Sequence, residues 1–229
     1  MAVDEALLQD ARQNGIPTLR FYAWYPATLS LGYFQPANDR MDHEASRLTP
    51  LVRRASGGGA ILHDREITYS LTLPKNVVSD YSEECCYQLV HLALQEVLNE
   101  SDIDFRLAGA IAKQEEGARF LCFQRRSCGD GLIGSHKVLG SAQRRVRGAL
   151  LQHGSLIIER SPFAPELPGV SDLAALKWSS EQLIQRWSSS IATRLNRQLV
   201  SGSLQLAERD IADRVKCAKY SQNTWNLKR

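Results

Sequence analysis

The stretch Val52–Ser70, VRRASGGGAILHDREITYS, limits what this chain can fold into more than any other. Three consecutive glycines, Gly57, Gly58 and Gly59, separate a basic pair, Arg53 and Arg54, from an apolar alternating run. Glycine reaches backbone angles closed to other residues, and without a Cβ it lets another group lie directly against the main chain. Exposed amides in such a turn form a concavity suited to a phosphate or a carbonyl oxygen. Ala60–Leu62 and Ile67–Leu73 read as strands, with His63, Asp64 and Arg65 at the bend between them. The residues alone leave two readings open: a ligand cradle, or a hairpin whose glycines only relieve strain.

Upstream, Ala2–Arg12 reads as a helix with Val3, Ala6, Leu7 and Ala11 on one face, ended by Gly15 and Pro17. Thr18–Ala23 and Thr28–Tyr33 read as strands around a turn at Tyr25-Pro26. Asn38–Arg47 reads as a short helix before the strand Thr49–Arg53. Downstream, Asp80–Asn99 carries a helical stripe of Cys86, Leu89, Val90, Ala93 and Val97, opened by an Asp80/Glu83 capping pair. That stripe makes Cys86 a core residue, while Cys85 points elsewhere. Gly109–Arg119 lacks a pattern and reads as a mobile loop. Leu132–Ile133 and Lys137–Arg144 read as a hairpin, and Gly148–Glu159 as a longer strand with Leu151, His153, Ser155 and Ile157 on one face.

After Ser161 two helical stripes follow, Leu183/Ile184/Trp187/Ile191/Leu195 and Ala207/Ile211/Val215/Ala218, expected to pack against the sheet. The expected fold class is therefore α+β, one domain over residues 1–229 whose part from 162 onward is mainly helical.

The totals exclude several classes. No apolar run approaches the length needed to cross a bilayer, and no basic segment leads into an apolar one as in a secretory signal. Five cysteines, an odd number, fit a reducing compartment, so the cytoplasm is the expected location. Cys85 and Cys86 are adjacent, and no Cys/His group has metal-ligand spacing, so no metal site is expected. A net charge of +3 is too small to argue for nucleic acid but suits an acidic protein partner if the arginines cluster.

Cys122 lies in ARFLCFQRR. A thiolate is a good nucleophile toward thioesters, and neighbouring positive charge favours it; Arg119, Arg125, Arg126 and Lys137 are candidates to supply that charge. A lone cysteine is more often a small buried hydrophobe. His153, in LQHGS, is either a satisfied core histidine or a base with a near-neutral pKa. Arg125, Arg126, Arg144, Arg145 and Arg147 read as a solvated basic face or as a steering surface for an acidic partner.

Four phrases in one order, RFYAWYPATLSLGYFQ, RRASGGGAILHDREITYS, KVLGSAQRRVRGALLQHGS and KYSQNTWNLKR, resemble the lipoate-protein ligase and octanoyltransferase family, which is related to the biotin protein ligases. The resemblance implies a mixed, largely antiparallel sheet flanked by helices, with the C-terminal helices packed on it, and a first strand upstream of Ala2. One octanoyltransferase branch has a catalytic cysteine followed by phenylalanine, with a lysine fifteen positions later heading a KVxGSAQ phrase. Cys122-Phe123 and Lys137 repeat that interval here.

By this resemblance Cys122 carries the acyl group and Lys137 contacts its carbonyl. Arg54, Ser56, Gly57, Gly58, Gly59, His63, Gly140, Ser141, Ala142, His153 and Gly154 surround the substrate, with His63 and Asp64 orienting the glycine loop. The chain departs from the family after Phe123, where QRRSCGDG replaces a segment containing proline, serine and a tyrosine-glutamate pair.

The implied reaction moves an octanoyl group from acyl carrier protein to a lysine of a lipoyl carrier domain, a glycine-cleavage H protein or a dehydrogenase E2, with no nucleotide or other cofactor, no nucleic acid and no membrane. The alternatives are an ATP-dependent lipoate-protein ligase, an amidotransferase between two carrier domains, and an acyl-binding relative without activity.

Overall fold

The computed structural model describes residues 1–79, 83–110 and 120–229, with residues 83–85 described by backbone alone. In chain order the elements are α1 (Ala2–Asn14), β1 (Thr18–Tyr22), β2 (Thr28–Leu31), β3 (Leu51–Arg53), β4 (Ile61–His63) and β5 (Glu66–Leu73). There follow α2 (Lys75–Val78), α3 (Glu83–Asn99), β6 (Phe105–Leu107), β7 (Gly131–Ile133), β8 (His136–Val146) and β9 (Ala149–Ile157). The C-terminal part adds α4 (Val170–Leu173), α5 (Ser180–Arg194), α6 (Leu206–Val215) and α7 (Asn223–Asn226).

A six-stranded antiparallel sheet has the order β1-β5-β9-β8-β7-β6, and a three-stranded sheet has the order β3-β2-β4 with β2 and β3 parallel. The α+β class and the largely antiparallel sheet agree with the expectation. The bend expected at His63–Arg65 forms, but of the two readings left open the hairpin is not the one realised. Arg65 takes φ +45°, the chain turns out of plane, and β4 pairs with β2 while β5 pairs with β1 and β9. The glycine turn thus joins two strands of the smaller sheet, and the bend between β4 and β5 carries the chain into the larger one.

Every residue of β5 and of β9 is buried, because the pair is central in its sheet and covered on both faces. Helix α3 lays Leu89, Val90, Ala93, Leu94, Val97 and Leu98 on one face, where Trp187 of α5 joins Tyr69 and Phe21. Burying one such leucine is worth about 1.5–3 kcal/mol, so this helix is the main apolar anchor. Cys86 is buried there as expected. A second cluster joins Leu29, Leu31, Ala60 and Leu62 to Phe120, Leu121 and Phe123.

Helix α1 ends at Gly15, which takes φ +72° and donates its backbone N–H to the Ala11 carbonyl. Its buried face differs from the expected one: Asp4 and Leu8 are buried and Val3 is half-buried. A carboxylate replaces an aliphatic group there because Arg20 and Tyr22 reach it.

Other local differences follow from packing. Asn38–Arg47 forms two 3-10 turns, Ala37–Asp42 and Glu44–Ser46, not one helix. Helix α5 packs on α3 and reaches the sheet through Trp187, whereas α6 packs on α1. Of the expected α6 stripe Ala207 and Ala218 are exposed, and Ala212 is the buried contact. The Asp80/Glu83 capping pair, the Cys85 side chain and residues 111–119 of the expected loop lie outside the described residues. Among the described residues no helix is long and apolar enough to cross a membrane.

Candidate active site

The glycine turn is built on two buried arginines. Arg53 donates from Nη1 to the carbonyls of Gly32, Tyr33 and Gln35 at 2.8, 3.3 and 2.6 Å. The C-terminal phrase holds it from behind: its backbone N–H donates to Asn226 Oδ1 at 2.9 Å, and Trp225 Nε1 donates to its carbonyl at 2.8 Å. Arg54 donates to the Ser30 carbonyl at 3.0 Å and to the Gly57 and Gly59 carbonyls at 2.8 and 2.6 Å. Five donors on one planar group can fix several carbonyls at once, which is why arginine suits a turn that lacks side chains of its own. Gly58 takes φ +92°, and its carbonyl lies where a Cβ on Gly32 would stand, 1.8 Å away, so both positions need glycine.

This braced turn seats Cys122. The Cys122 N–H donates to the Ala60 carbonyl at 2.7 Å, and the Ala60 N–H donates to the Phe120 carbonyl at 3.1 Å. A Cβ on Gly59 would stand 3.2 Å from Cys122 N and Cα. The half-buried sulfur then lies 3.8 Å from Lys137 Nζ. Lys137 is 6% exposed and pairs with the buried Asp130 at 2.7 Å. Gly140 makes room for it, since a Cβ there would stand 2.7 Å from Lys137 Cε. Burial pushes the Asp130 carboxyl up, against the pull of Lys137.

Sulfur, Arg54, Gly57, Gly58, His63, Gly140, Ser141, Ala142, His153 and Gly154 line one cleft with about 440 Å³ of empty space, its open mouth included. Of the expected residues Ser56 and Gly59 lie behind this lining, and Lys137 faces a separate groove with Phe123, Gln124, Arg126, His136 and Glu166. The expected basic set forms near the site only in part, with Arg126 in the Lys137 groove. Arg144, Arg145 and Arg147 lie at the far end of β8 from Lys137, and Arg144 faces Glu5 at 3.9 Å.

Two histidines in the wall are each held at both ring nitrogens. His63 Nδ1 donates to Glu66 at 2.6 Å, which leaves Nε2 to accept from Ser30 Oγ at 2.7 Å, and Trp24 stacks on the ring at 4.3 Å. Ser161 donates to Asp64 at 2.7 Å, which ties the loop after His63 to the chain beyond β9. His153 Nε2 meets Ser56 Oγ at 2.5 Å, while its Nδ1 is 3.8 Å from Asp4. Burial pushes the His153 pKa down, with Asp4 opposing, so the ring is neutral at physiological pH. Both sets resemble a hydrolase triad, but Ser30 and Ser56 are buried behind the lining and serve to orient imidazoles.

Several contributors to the site have no counterpart in the sequence motifs. Asp130 sits in GDG, a setting that reads only as a turn. His91 shares a face of α3 with Tyr87, and neither interrupts the apolar stripe. Its Nδ1 donates to the Gly129 carbonyl and its Nε2 accepts from Ser141 Oγ, both at 2.6 Å. Tyr69 and Gln152 extend this chain at 2.5 and 2.8 Å. Burial pushes the His91 pKa down to about 4. Among the described residues no group of three or more His, Cys, Asp or Glu side chains could hold a metal ion.

A thiol beside an ammonium, under a turn of bare peptide groups and at an apolar cleft, is equipped for acyl transfer. Comparison with known proteins agrees. Octanoyltransferase LipM of Kyrpidia tusciae is 33% identical over 263 aligned residues, spanning 100% of this chain and 94% of that protein. LipM of Moorella thermoacetica is 39% identical over 193 residues, 81% of this chain and 67% of that one. In fold, the chain is similar to lipoate-protein ligase A bound with ATP, with a TM-score of 0.80, 22% identity and coverage of 99% and 92%. A bipartite lipoate protein ligase from Thermoplasma acidophilum gives a TM-score of 0.75, 20% identity and coverage of 99% and 89%. Residues 1–188 match the lipoyl protein ligase A/B catalytic domain, and the chain belongs to that family.

Proposed function

We propose that this chain is an octanoyltransferase of lipoate biosynthesis that works through a thioester on Cys122. The carrying observation is the 3.8 Å approach of Lys137 Nζ to Cys122 Sγ beside the apolar cleft. The octanoyl tail occupies that cleft, and its carbonyl lies under the glycine turn. The Cys122 thiolate attacks the thioester carbonyl of octanoyl-acyl carrier protein. A new sulfur–carbon bond forms, the bond to the pantetheine sulfur breaks, and the departing thiolate takes a proton from Lys137. A preorganised donor at the developing oxyanion contributes about 3–4 kcal/mol of barrier lowering, and in this reading Lys137 and the turn amides supply it.

In the second half the lysine amine of a lipoyl carrier domain, that of an H protein or an E2, attacks the Cys122 thioester. The amide forms, the amine proton passes to Lys137, and the thiolate is restored. No nucleotide is consumed. The groove on the other side of Lys137, lined by Phe123, Gln124, Arg126 and His136, is the path by which each carrier's arm reaches the sulfur.

The test is incubation with octanoyl-acyl carrier protein in the absence of nucleotide, followed by mass spectrometry. An octanoyl adduct lost in Cys122→Ser and kept in Cys128→Ser supports transfer. Acylation that requires ATP and free lipoate would replace this reading with a ligase. Acylation of Cys122 only from an already octanoylated carrier domain would make the protein an amidotransferase.

A further inference from the structure

Two buried cations belong to the Cys122 site, Lys137 with its Nζ 3.8 Å from the sulfur and Arg54 lining the same cleft, and they are balanced differently. Lys137 has a carboxylate 2.7 Å away in Asp130, and both side chains are buried, so the pair brings no net charge. Arg54 is buried, lines the cleft with Cys122, and donates to the Ser30 carbonyl and hydroxyl and to the Gly57 and Gly59 carbonyls. All four acceptors are uncharged. Among the described residues no carboxylate forms an ion pair with it, and its Nε is a buried donor without a partner. An isolated buried charge is costly unless an opposite charge answers it. Burial pushes the Arg54 pKa down to about 10, and the Cys122 side chain opposes that shift.

We propose that Arg54 is the counter-charge of the Cys122 thiolate, and that Lys137, already neutralised by Asp130, serves the sulfur as proton donor and acceptor. This rests on Cys122 being the acyl carrier. The charge count then closes at every stage. Before acylation Arg54 faces the thiolate and Lys137 faces Asp130. Once the sulfur is acylated and Lys137 has given its proton to the departing pantetheine thiolate, Arg54 and Asp130 are the remaining opposite charges. When the incoming amine transfers its proton to Lys137 and the thiolate leaves, both pairs return. Other groups around the site sense the same charges. Burial holds His153 down, with Arg54 contributing, and burial holds Tyr87 up, with Asp130 and Cys122 contributing.

Alkylation of Cys122 by iodoacetamide, followed by peptide mass spectrometry, reads the thiolate separately from the exposed Cys128 and Cys217. Arg54→Gln is expected to slow this alkylation at neutral pH about tenfold, and Arg54→Lys to retain most of the rate. Arg54 also braces the glycine turn, so the deciding variant is the double substitution Asp130→Asn with Lys137→Gln. It removes both charges of the pair and leaves Arg54 in place. Alkylation is expected to fall clearly less than in Arg54→Gln, since the Lys137 contact with the sulfur is lost but no net charge is. A tenfold fall in the double variant would assign the counter-charge to Lys137 and overturn the proposal, as would an unchanged rate in folded Arg54→Gln. Octanoylation of the unaltered protein is measured alongside. Its absence would sink the acyl-carrier reading, while the alkylation comparison still reports the charge at the sulfur.

Discussion

The two sheets are held by opposite means. In the six-stranded sheet, β5 and β9 are buried at every position, and their apolar side chains meet α3 and Trp187. In the three-stranded sheet the strands have only three or four residues, and the turns that follow β2 and β3 are fixed by two buried guanidinium groups, Arg53 and Arg54 respectively, bonded to carbonyls. Apolar contact is non-directional and tolerates small shifts, whereas a guanidinium fork fixes the positions of particular oxygens. Stability therefore resides mainly in the first region and the geometry of the proposed site in the second. The Cys122–Lys137 contact spans them, with the sulfur on the glycine turn and the ammonium on β8.

The largest effect is expected where the first region is cut. Leu94 is fully buried in α3, and Leu94→Ala should lower unfolding free energy by about 2–5 kcal/mol in urea denaturation. Octanoylation of the folded fraction should stay near the parent rate, because the glycine turn does not depend on that leucine. Gly59→Ala is the converse. Its new Cβ would press on the Cys122 backbone at 3.2 Å, so the sulfur must move relative to Lys137. We expect octanoyl-adduct formation to slow by about 10–100-fold, with a smaller cost in stability. If Leu94→Ala slows the folded fraction as much as Gly59→Ala does, the division between regions is wrong.

The apolar region was legible in the sequence because burial there repeats at the spacing of a helix or strand: Leu183, Trp187 and Ile191 on α5, and Leu151 and Ile157 on β9, sit where periodicity puts them. The separation of β4 from β5 was not, since a three-residue bend looks alike whether the chain returns to the same sheet or leaves it. Cys122 and Lys137 were legible through the fifteen-residue interval shared with a known family. Asp130 and His91 were not, for their roles rest on contacts across 7 and 50 positions that leave no periodic trace. Arg53 and Arg54 were visible as a basic pair, but their targets are backbone carbonyls, which every residue possesses.

His91 ties α3 to β8 and to the loop before β7, and it gives the next effect in size. Its folded pKa is about 4 against an ordinary value of 6.5, so between these pH values the unfolded chain binds a proton that the native ring does not. This contribution to stability is present above pH ~6.5 and is lost as the pH falls toward ~4. From pH ~7 to ~5 it amounts to about 2 kcal/mol. Urea denaturation at the two pH values should show a shallower loss in His91→Gln than in the parent. Equal slopes would mean that the ring is not buried as a neutral donor and acceptor.

The smallest effect tests the polar region at its outer edge. Asn226 accepts the Arg53 backbone N–H at 2.9 Å and donates to the Tyr220 carbonyl at 2.9 Å, so it ties α7 to the end of β3, just before Arg54. Asn226→Ala leaves a buried N–H without its acceptor, at a cost of about 1–2 kcal/mol. Because Arg53 still holds the Gly32 and Gln35 carbonyls, the turn should loosen without collapsing. Amide exchange at Arg53 should accelerate while exchange in β5 and β9 is unchanged, and octanoylation should fall only a few-fold. Faster exchange in β9 as well would show that the two regions open together, and the C-terminal phrase would then be a clamp on the whole fold and not on the glycine turn alone.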